Sequence, residues 1–410
     1  MTTQRKPIRE LGKVFEYLQD HKLRVEEKKD FRIEVRDADF GSEELINVQW
    51  DRFRFVNCRF PASQRIRVTE TTNCWFERCE FGPGRKDVVL FFGGMKDSRF
   101  SGCKFANGNV STRGEASFKD CEFENTTPQS PSSWNYFLTG DTLNLNQCKF
   151  HNIDLAADIK LHMKHCDYVS TRVGPIKPGT EYVADIILED TLIKNAEKFL
   201  WNNKLKNLTL KGCQVKGMFS AQESWIEGSI LLEGLKVGTY HINRCGPEKS
   251  LTIRDCHFSE VNKATTHLFS CSGSYPAETL LERVECTKDA TCDLTGAGDG
   301  VGIKAEGYRD PVPLNKTFTL RNCKIPHLLV NWLQSYHLVI ENCEFGTLEL
   351  KEGRIGKVTI KNSKFDTLNL TRTLAGKYEI DKASTGHSVT AESNYPEGGY
   401  KIDGGQQGGQ

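Results

Sequence analysis

The chain of 410 residues carries 55 Lys plus Arg against 54 Asp plus Glu, a formal charge of +1, with 38% hydrophobic residues and 15 Cys. So balanced a charge supplies no field for phosphate backbones, and no apolar run reaches the roughly 18 residues that cross a bilayer, which excludes generic nucleic-acid binding and a helical membrane span. The first thirty residues are charged throughout and lack the apolar stretch of a secretory signal, so the sequence predicts a cytoplasmic protein with reduced thiols.

Residues 1–30 place Ile8, Leu11, Val14, Phe15 and Leu18 at helical spacing behind Pro7, which predicts an amphipathic α-helix from Pro7 to His21. Its use is to cap the first coil of the repeats that follow; binding a partner is the alternative. From residue 31 to 383 one phrase recurs: apolar, any, apolar, any, polar, Cys, charged, Phe. Copies include FRFVNCRF (Phe53 to Phe60), LNLNQCKF (Leu143 to Phe150), LTIRDCHF (Leu251 to Phe258) and LVIENCEF (Leu338 to Phe345). Weaker copies such as IEVRDADF (Ile33 to Phe40) and VTIKNSKF (Val358 to Phe365) replace Cys by another small residue. A period of mostly 20 to 22 residues with β-type alternation and no helix per repeat predicts stacked coils of a parallel β-helix, about sixteen of them.

Inside the phrase the second apolar residue and the Cys are three apart, so they cannot both face inward on one straight strand. A bend must separate them. The residue before the Cys slot is mostly Asp, Asn or Gly (Asp37, Asn57, Gly102, Asp120, Gly212, Asp255, Asn322, Asn342, Asn362), the types that accept left-handed backbone. The phrase therefore predicts a tight corner whose polar side chains stack from coil to coil, with Cys as a small buried hydrophobe and Phe filling the interior two residues later. Cys74, Cys245, Cys271 and Cys292 fall outside this pattern. Between Cys and Phe the outward residue alternates in sign, as Lys104, Glu122, Lys149, Asp167 and again Glu285, Lys324, Glu344, Lys364. That predicts an ion-pair ladder rather than a polyelectrolyte-binding face.

Longer steps mark insertions at Glu124 to Asn135, Val169 to Tyr182, Ser259 to Pro276 (divided by a strand near Leu268 and Phe269) and Thr287 to Lys316. All follow the Cys-x-Phe strand, so they project from one edge. Residues 384–410 lose the repeat and end in GGQQGGQ, which predicts a flexible tail.

The coil phrase with its Asx corner resembles the right-handed parallel β-helix of the pectin-lyase-like superfamily, over about residues 31 to 383. Its Cys-x-Phe cadence also resembles pentapeptide-repeat proteins, whose strict five-residue period is not kept. The first resemblance implies an all-β, single-stranded right-handed fold. In lyases of that superfamily it also implies carboxylates holding calcium near an Arg or Lys base, and in hydrolases paired aspartates with Gly-His-Gly and Arg-x-Lys strings. None of the hydrolase strings occurs here in matching order.

The longest insertion is the richest in chemistry. Asp289, Asp293, Asp299, Glu306 and Arg309 are the candidate catalytic residues, with His267 as a further partner; Trp134, Tyr136 and Asp310 are the candidate binding residues. Of the other aromatics outside the core slots, Trp201, Trp225, Trp332 and Tyr336 are expected mostly to fill the core. Cys286 and Cys292 lack paired Cys-x-x-Cys spacing, and His162 and His165 read as surface polarity, so no metal is expected. GAGDGVG lacks the Lys-Ser/Thr ending of a phosphate loop, so no cofactor is expected either. The sequence thus predicts a non-enzymatic scaffold that binds another macromolecule, a protein in an immunity, adaptor or assembly role. The alternative is a polysaccharide lyase or glycoside hydrolase with its groove along the insertions. Replacing Asp289, Asp293, Asp299, Glu306, Asp310 and Arg309 is expected to shift stability by no more than about 0.5 kcal/mol each, read by calorimetry, because these residues are placed outside the stacked core.

Overall fold

A computed structural model of the chain describes residues 6–7, 33–40, 45–61, 66–82, 90–106, 108–124, 138–169, 172–173, 184–201, 204–222, 224–243, 246–258, 267–270, 276–287, 291–295, 316–331, 333–351, 353–371, 373–392 and 401–402. It is an all-β parallel solenoid whose chain divides into two compact units, Met1–Leu192 and Ile193–Gln410. Within each unit, every strand pairs in parallel with its counterpart one coil away. In the first, Ile33–Arg36 lies on Phe53–Val56, which lies on Trp75–Glu77. In the second, Thr317–Arg321 lies on Gln334–Glu341, which lies on Arg354–Lys361.

The corner is where the sequence places it. Of the sixteen residues that precede a Cys slot, fifteen have positive φ, from Asp37 (φ 54) and Asn57 (φ 55) to Asn342 (φ 54) and Asn362 (φ 44). The Asx side chains touch from coil to coil: Asn57 Nδ2 donates to Asp37 Oδ1 at 2.5 Å, and Asn362 Nδ2 to Asn342 Oδ1 at 2.8 Å. The first unit adds a second left-handed corner at Arg52, Asn73, Asp97 and Gly114. Cys74 follows that second corner and is fully buried, so it is a core thiol of the same kind as the others.

The slot after the corner does more than fill space. At the corner the backbone ladder lapses, and side chains replace it. Several buried thiols point at the carbonyl two residues back and at one in the preceding coil: Cys58 Sγ lies 3.5 Å from Val56 O and from Val35 O, and Cys256 Sγ lies 3.2 Å from Arg254 O and 3.5 Å from Leu232 O. Hydroxyls do the same, as Thr191 Oγ1 donates to Glu189 O at 2.9 Å and Ser363 Oγ to Lys361 O at 2.8 Å. The slot atom also accepts. Cys323 N–H donates to Cys343 Sγ at 3.5 Å, Cys343 N–H to Ser363 Oγ at 3.1 Å and Ser363 N–H to Ser384 Oγ at 3.2 Å. The expected small hydrophobe is therefore a hydrogen-bonding link, which explains why Ser and Thr substitute for Cys. Burial pushes the thiols of Cys74 and Cys256 up to about 12, so both stay protonated donors at neutral pH.

Inward residues stack in register. In the first unit the Phe slot forms a ladder of parallel rings, Phe40–Phe60, Phe60–Phe81, Phe81–Phe105, Phe105–Phe123 and Phe123–Phe150, with centroids 4.6 to 5.0 Å apart. A second ladder, Phe55–Phe76–Phe100–Phe118, runs beside it at 4.4 to 5.1 Å and meets the first edge-on. These spacings match the distance between hydrogen-bonded strands, about 4.8 Å. Each fully buried ring contributes roughly 2 kcal/mol relative to exposure. The second unit fills the same positions largely with Leu, Ile and Val, such as Leu338, Ile340, Leu348 and Leu350. Outside, the charge ladder is present: Glu122 lies 3.6 Å from Lys104 and 3.2 Å from Lys149, and Lys324 lies 3.5 Å from Glu344. These groups are close to half exposed or more, so each pair contributes about 0 to 1 kcal/mol.

Three expectations meet different structure or none, and a fourth is met. The helix over Pro7 to His21 falls outside the described residues except at Pro7, which is extended and pairs with Asp39; a Pro on an edge strand leaves no N–H unpaired. The segment Thr287 to Lys316 is not one continuous loop, since Thr291–Thr295 is a strand lying between His267–Ser270 and Lys324–Asn331. The strand expected near Leu268 and Phe269 is His267–Ser270. Beyond the boundary drawn at 383, Thr385–Glu392 continues the second unit by pairing with Lys364–Thr371.

Two predictions follow from the corner. Asn342→Val forces a β-branched residue into left-handed backbone and removes the acceptor of Asn362, so it is expected to cost about 1–3 kcal/mol in denaturant unfolding, with Asn342→Gly costing less. Cys343→Val strips Cys323 N–H of its acceptor and is expected to cost about 1–3 kcal/mol, while Cys343→Ser keeps most of the stability. Equal loss in the valine and serine variants would show that packing alone governs the slot.

Candidate functional site

Parallel register turns outward side chains into columns. In the first unit one column reads Arg54, Trp75, Arg99, Ser117, Asn144, His162. Two residues along the strands a second reads Glu77, Ser101, Lys119, Asn146, Lys164. Long side chains stand at both ends, whereas Ser101 and Ser117 sit diagonally between them. The two small residues open a cleft of about 590 Å³ on the outer face of the sheet.

Its walls are held in place. Arg99 lies over the Trp75 ring, 5.0 Å from the centroid, a cation–π contact that fixes both groups. Arg54 donates to Glu77 Oε2 at 2.6 Å and to Glu34 Oε2 at 3.2 Å. The Arg54 guanidinium holds the Glu77 carboxyl below the usual carboxylate range, against the opposing effect of burial. Asn144 Nδ2 donates to Glu115 Oε1 at 2.8 Å, while Asn146 Oδ1 is shut off from solvent and accepts no hydrogen bond among the described residues. At the far end His162 Nε2 lies 3.3 Å and Lys164 Nζ 3.8 Å from the same Glu189 oxygen.

Four cationic side chains (Arg54, Arg99, Lys119, Lys164) therefore face the cleft against one carboxylate, Glu77. Chemically this is a surface of fixed donors, amides and one aromatic wall, suited to a hydroxylated, negatively charged ligand. A second cleft of about 690 Å³ opens in the second unit over Phe345 and Phe365, but its Lys324, Glu344 and Lys364 belong to the alternating ladder and their charges largely cancel.

Among the described residues that line the first cleft, none is a candidate catalytic or binding residue of the sequence. Asp289, Asp299, Glu306, Arg309, Asp310, Trp134 and Tyr136 lie outside the described residues. Asp293 is described only in its backbone, where it pairs with His267 and Leu329 in the second unit. Trp225 and Tyr336, expected to fill the core, are 49% and 45% exposed, since each sits at an outward position of its strand. His162, read as surface polarity, lines the cleft instead. Trp75 escaped notice although alternation exposes it: Cys74 and Phe76 on either side face inward. Among the described residues no three His, Cys, Asp or Glu side chains converge to hold a metal ion.

No protein-family model matches the chain, and neither does any curated protein. Among solved structures it is similar to a mutant tailspike protein of E. coli bacteriophage HK620, at 10% identity over 88% of this chain and 67% of that one, with a TM-score of 0.24. A related mutant of that tailspike in complex with hexasaccharide matches at 11% identity over 90% of this chain and 69% of that one, with a TM-score of 0.25. The A-module of Azotobacter vinelandii mannuronan C-5 epimerase AlgE6 matches at 10% identity over 88% of each chain, with a TM-score of 0.15.

Proposed function

We propose that the chain is a carbohydrate-binding β-solenoid that holds an acidic oligosaccharide in the cleft of the first unit. The observation that carries this is the cleft itself: the Trp75–Arg99 stack beside a notch made by Ser101 and Ser117, faced by four cations. Coils repeat at about 4.8 Å, near the length of one sugar ring, so a glycan laid along the stack meets a new row of side chains at each ring. Fixed amides and guanidinium groups suit hydroxyls and carboxylates, and the indole supplies an apolar wall for sugar C–H groups.

The reading is binding without cleavage. Hydrolysis by paired carboxyls needs one of them protonated, and Glu77 is kept ionised by Arg54. A protein partner has less support, because the large hydrophobics exposed among the described residues, Ile159, Trp225 and Tyr336, stand in different coils and form no patch.

A glycan array probed with the purified chain is expected to retain acidic oligosaccharides. Calorimetric titration with oligogalacturonate then tests the cleft. Trp75→Ala, Arg99→Ala and Ser117→Arg are each expected to weaken binding about tenfold or more, roughly 1.4 kcal/mol, with Ser117→Arg leaving the thermal midpoint unchanged because it only refills the notch. Undiminished binding by both Trp75→Ala and Ser117→Arg would remove the ligand from this cleft.

A further inference from the structure

At the end of the cleft two of its basic groups are already engaged by a group from the chain itself. Glu189 stands in the coil beyond Lys164, in register with it, and its Oε2 reaches Lys164 Nζ at 3.8 Å and His162 Nε2 at 3.3 Å. A carboxylate there is chemically the same group that an acidic sugar would present. Asn146, whose Oδ1 accepts nothing among the described residues, is in register with Lys164 on the opposite side. So Lys164 is a cation at the cleft whose carboxylate partner, Glu189, is supplied by the chain itself.

We propose that Glu189 is a built-in competitor for the acidic group of the ligand at Lys164, and that the charge on His162 sets how strongly it competes. The proposal rests on the carbohydrate reading above. When His162 is neutral, Glu189 keeps its contact with Lys164, and the ligand must displace it there. When His162 is protonated, the imidazolium draws Glu189 to itself, Lys164 is released toward the cleft, and the cleft gains a positive charge. Imidazole is the side chain that changes charge between about pH 5 and 8, while a uronate carboxylate stays ionised throughout. Binding therefore strengthens as pH falls through that range and takes up a proton.

The other charged groups around His162 do not reproduce this behaviour. Its own strand and corner carry Lys160, Lys164 and His165; the next coil carries Asp185, Glu189 and Asp190. On the preceding coil its register partner is Asn144, tied to Glu115, with Asp141 farther along that strand. Of these, His165 is the other imidazole, and it pairs with Asp190 at 3.9 Å.

The test is titration of the full chain with oligogalacturonate at about pH 8 and about pH 5.5. The wild-type chain is expected to bind about threefold to fivefold more tightly at the lower pH, the size of one exposed charge interaction. Glu189→Gln is expected to bind more tightly than wild type at about pH 8, again by about threefold to fivefold, a gain that damage to the fold does not produce. His162→Gln is expected to lose the difference between the two pH values while keeping its thermal midpoint. Equal or weaker binding by Glu189→Gln, or an unchanged pH difference in His162→Gln, overturns the competitor role and leaves the carbohydrate reading standing. No binding by folded wild-type chain at either pH overturns both.

Discussion

One backbone N–H in each coil has nowhere to go. A left-handed corner turns the chain through a single residue, and the amide that follows it drops out of the inter-coil ladder. A buried amide without a partner costs about 1–3 kcal/mol, and the solenoid would incur that cost at every turn. Where the slot is polar the chain meets it with a side chain small enough for the bend, able both to accept from the amide of the coil before and to donate to a nearby carbonyl, whereas Ala38, Leu235 and Val284 fill the slot without one. Cys, Ser and Thr satisfy all three conditions, and the succession Cys323, Cys343, Ser363, Ser384 is linked in this way.

Once the corner is closed, register follows. Phe slots fall one above another at the strand spacing, and the two ring ladders of the first unit leave no freedom for a coil to slide. Exact register inside fixes register outside, so outward residues line up in columns whatever the length of the insertions between them. A change of size within a column then becomes a feature of the surface. Ser101 and Ser117 need no special conformation to form a cleft; being smaller than Trp75, Arg99, Lys119 and Asn144 is enough.

Much of the fold is legible in the sequence because one residue type marks one position in every coil. Asx or Gly before Cys marks the corner, alternation marks the buried face, and the outward charges pair as their signs demand. The second corner is less legible: Arg52, Asn73, Asp97 and Gly114 share no residue type, and left-handed backbone is enforced there by the stack rather than by local preference. The cleft is less legible still. It joins residues from six coils separated by steps of unequal length, and Trp75 becomes meaningful only when it stands beside Arg99 and two coils away from the gap at Ser117. Attention to the acid-rich insertion was drawn by composition, which carries no information about which side chains meet.

The slot link also bears on ancestry. A coil whose slot holds Cys, Ser or Thr presents an acceptor to the coil before it and an amide to the coil after it, so its two faces are complementary to one another. A duplicated coil of this kind joins the stack without any change in its neighbours, and a deleted one leaves faces that still fit. Lineages of such chains are therefore free to vary in length by whole turns, and a recognition surface built from columns lengthens in the same steps, one row of contacts per inherited coil.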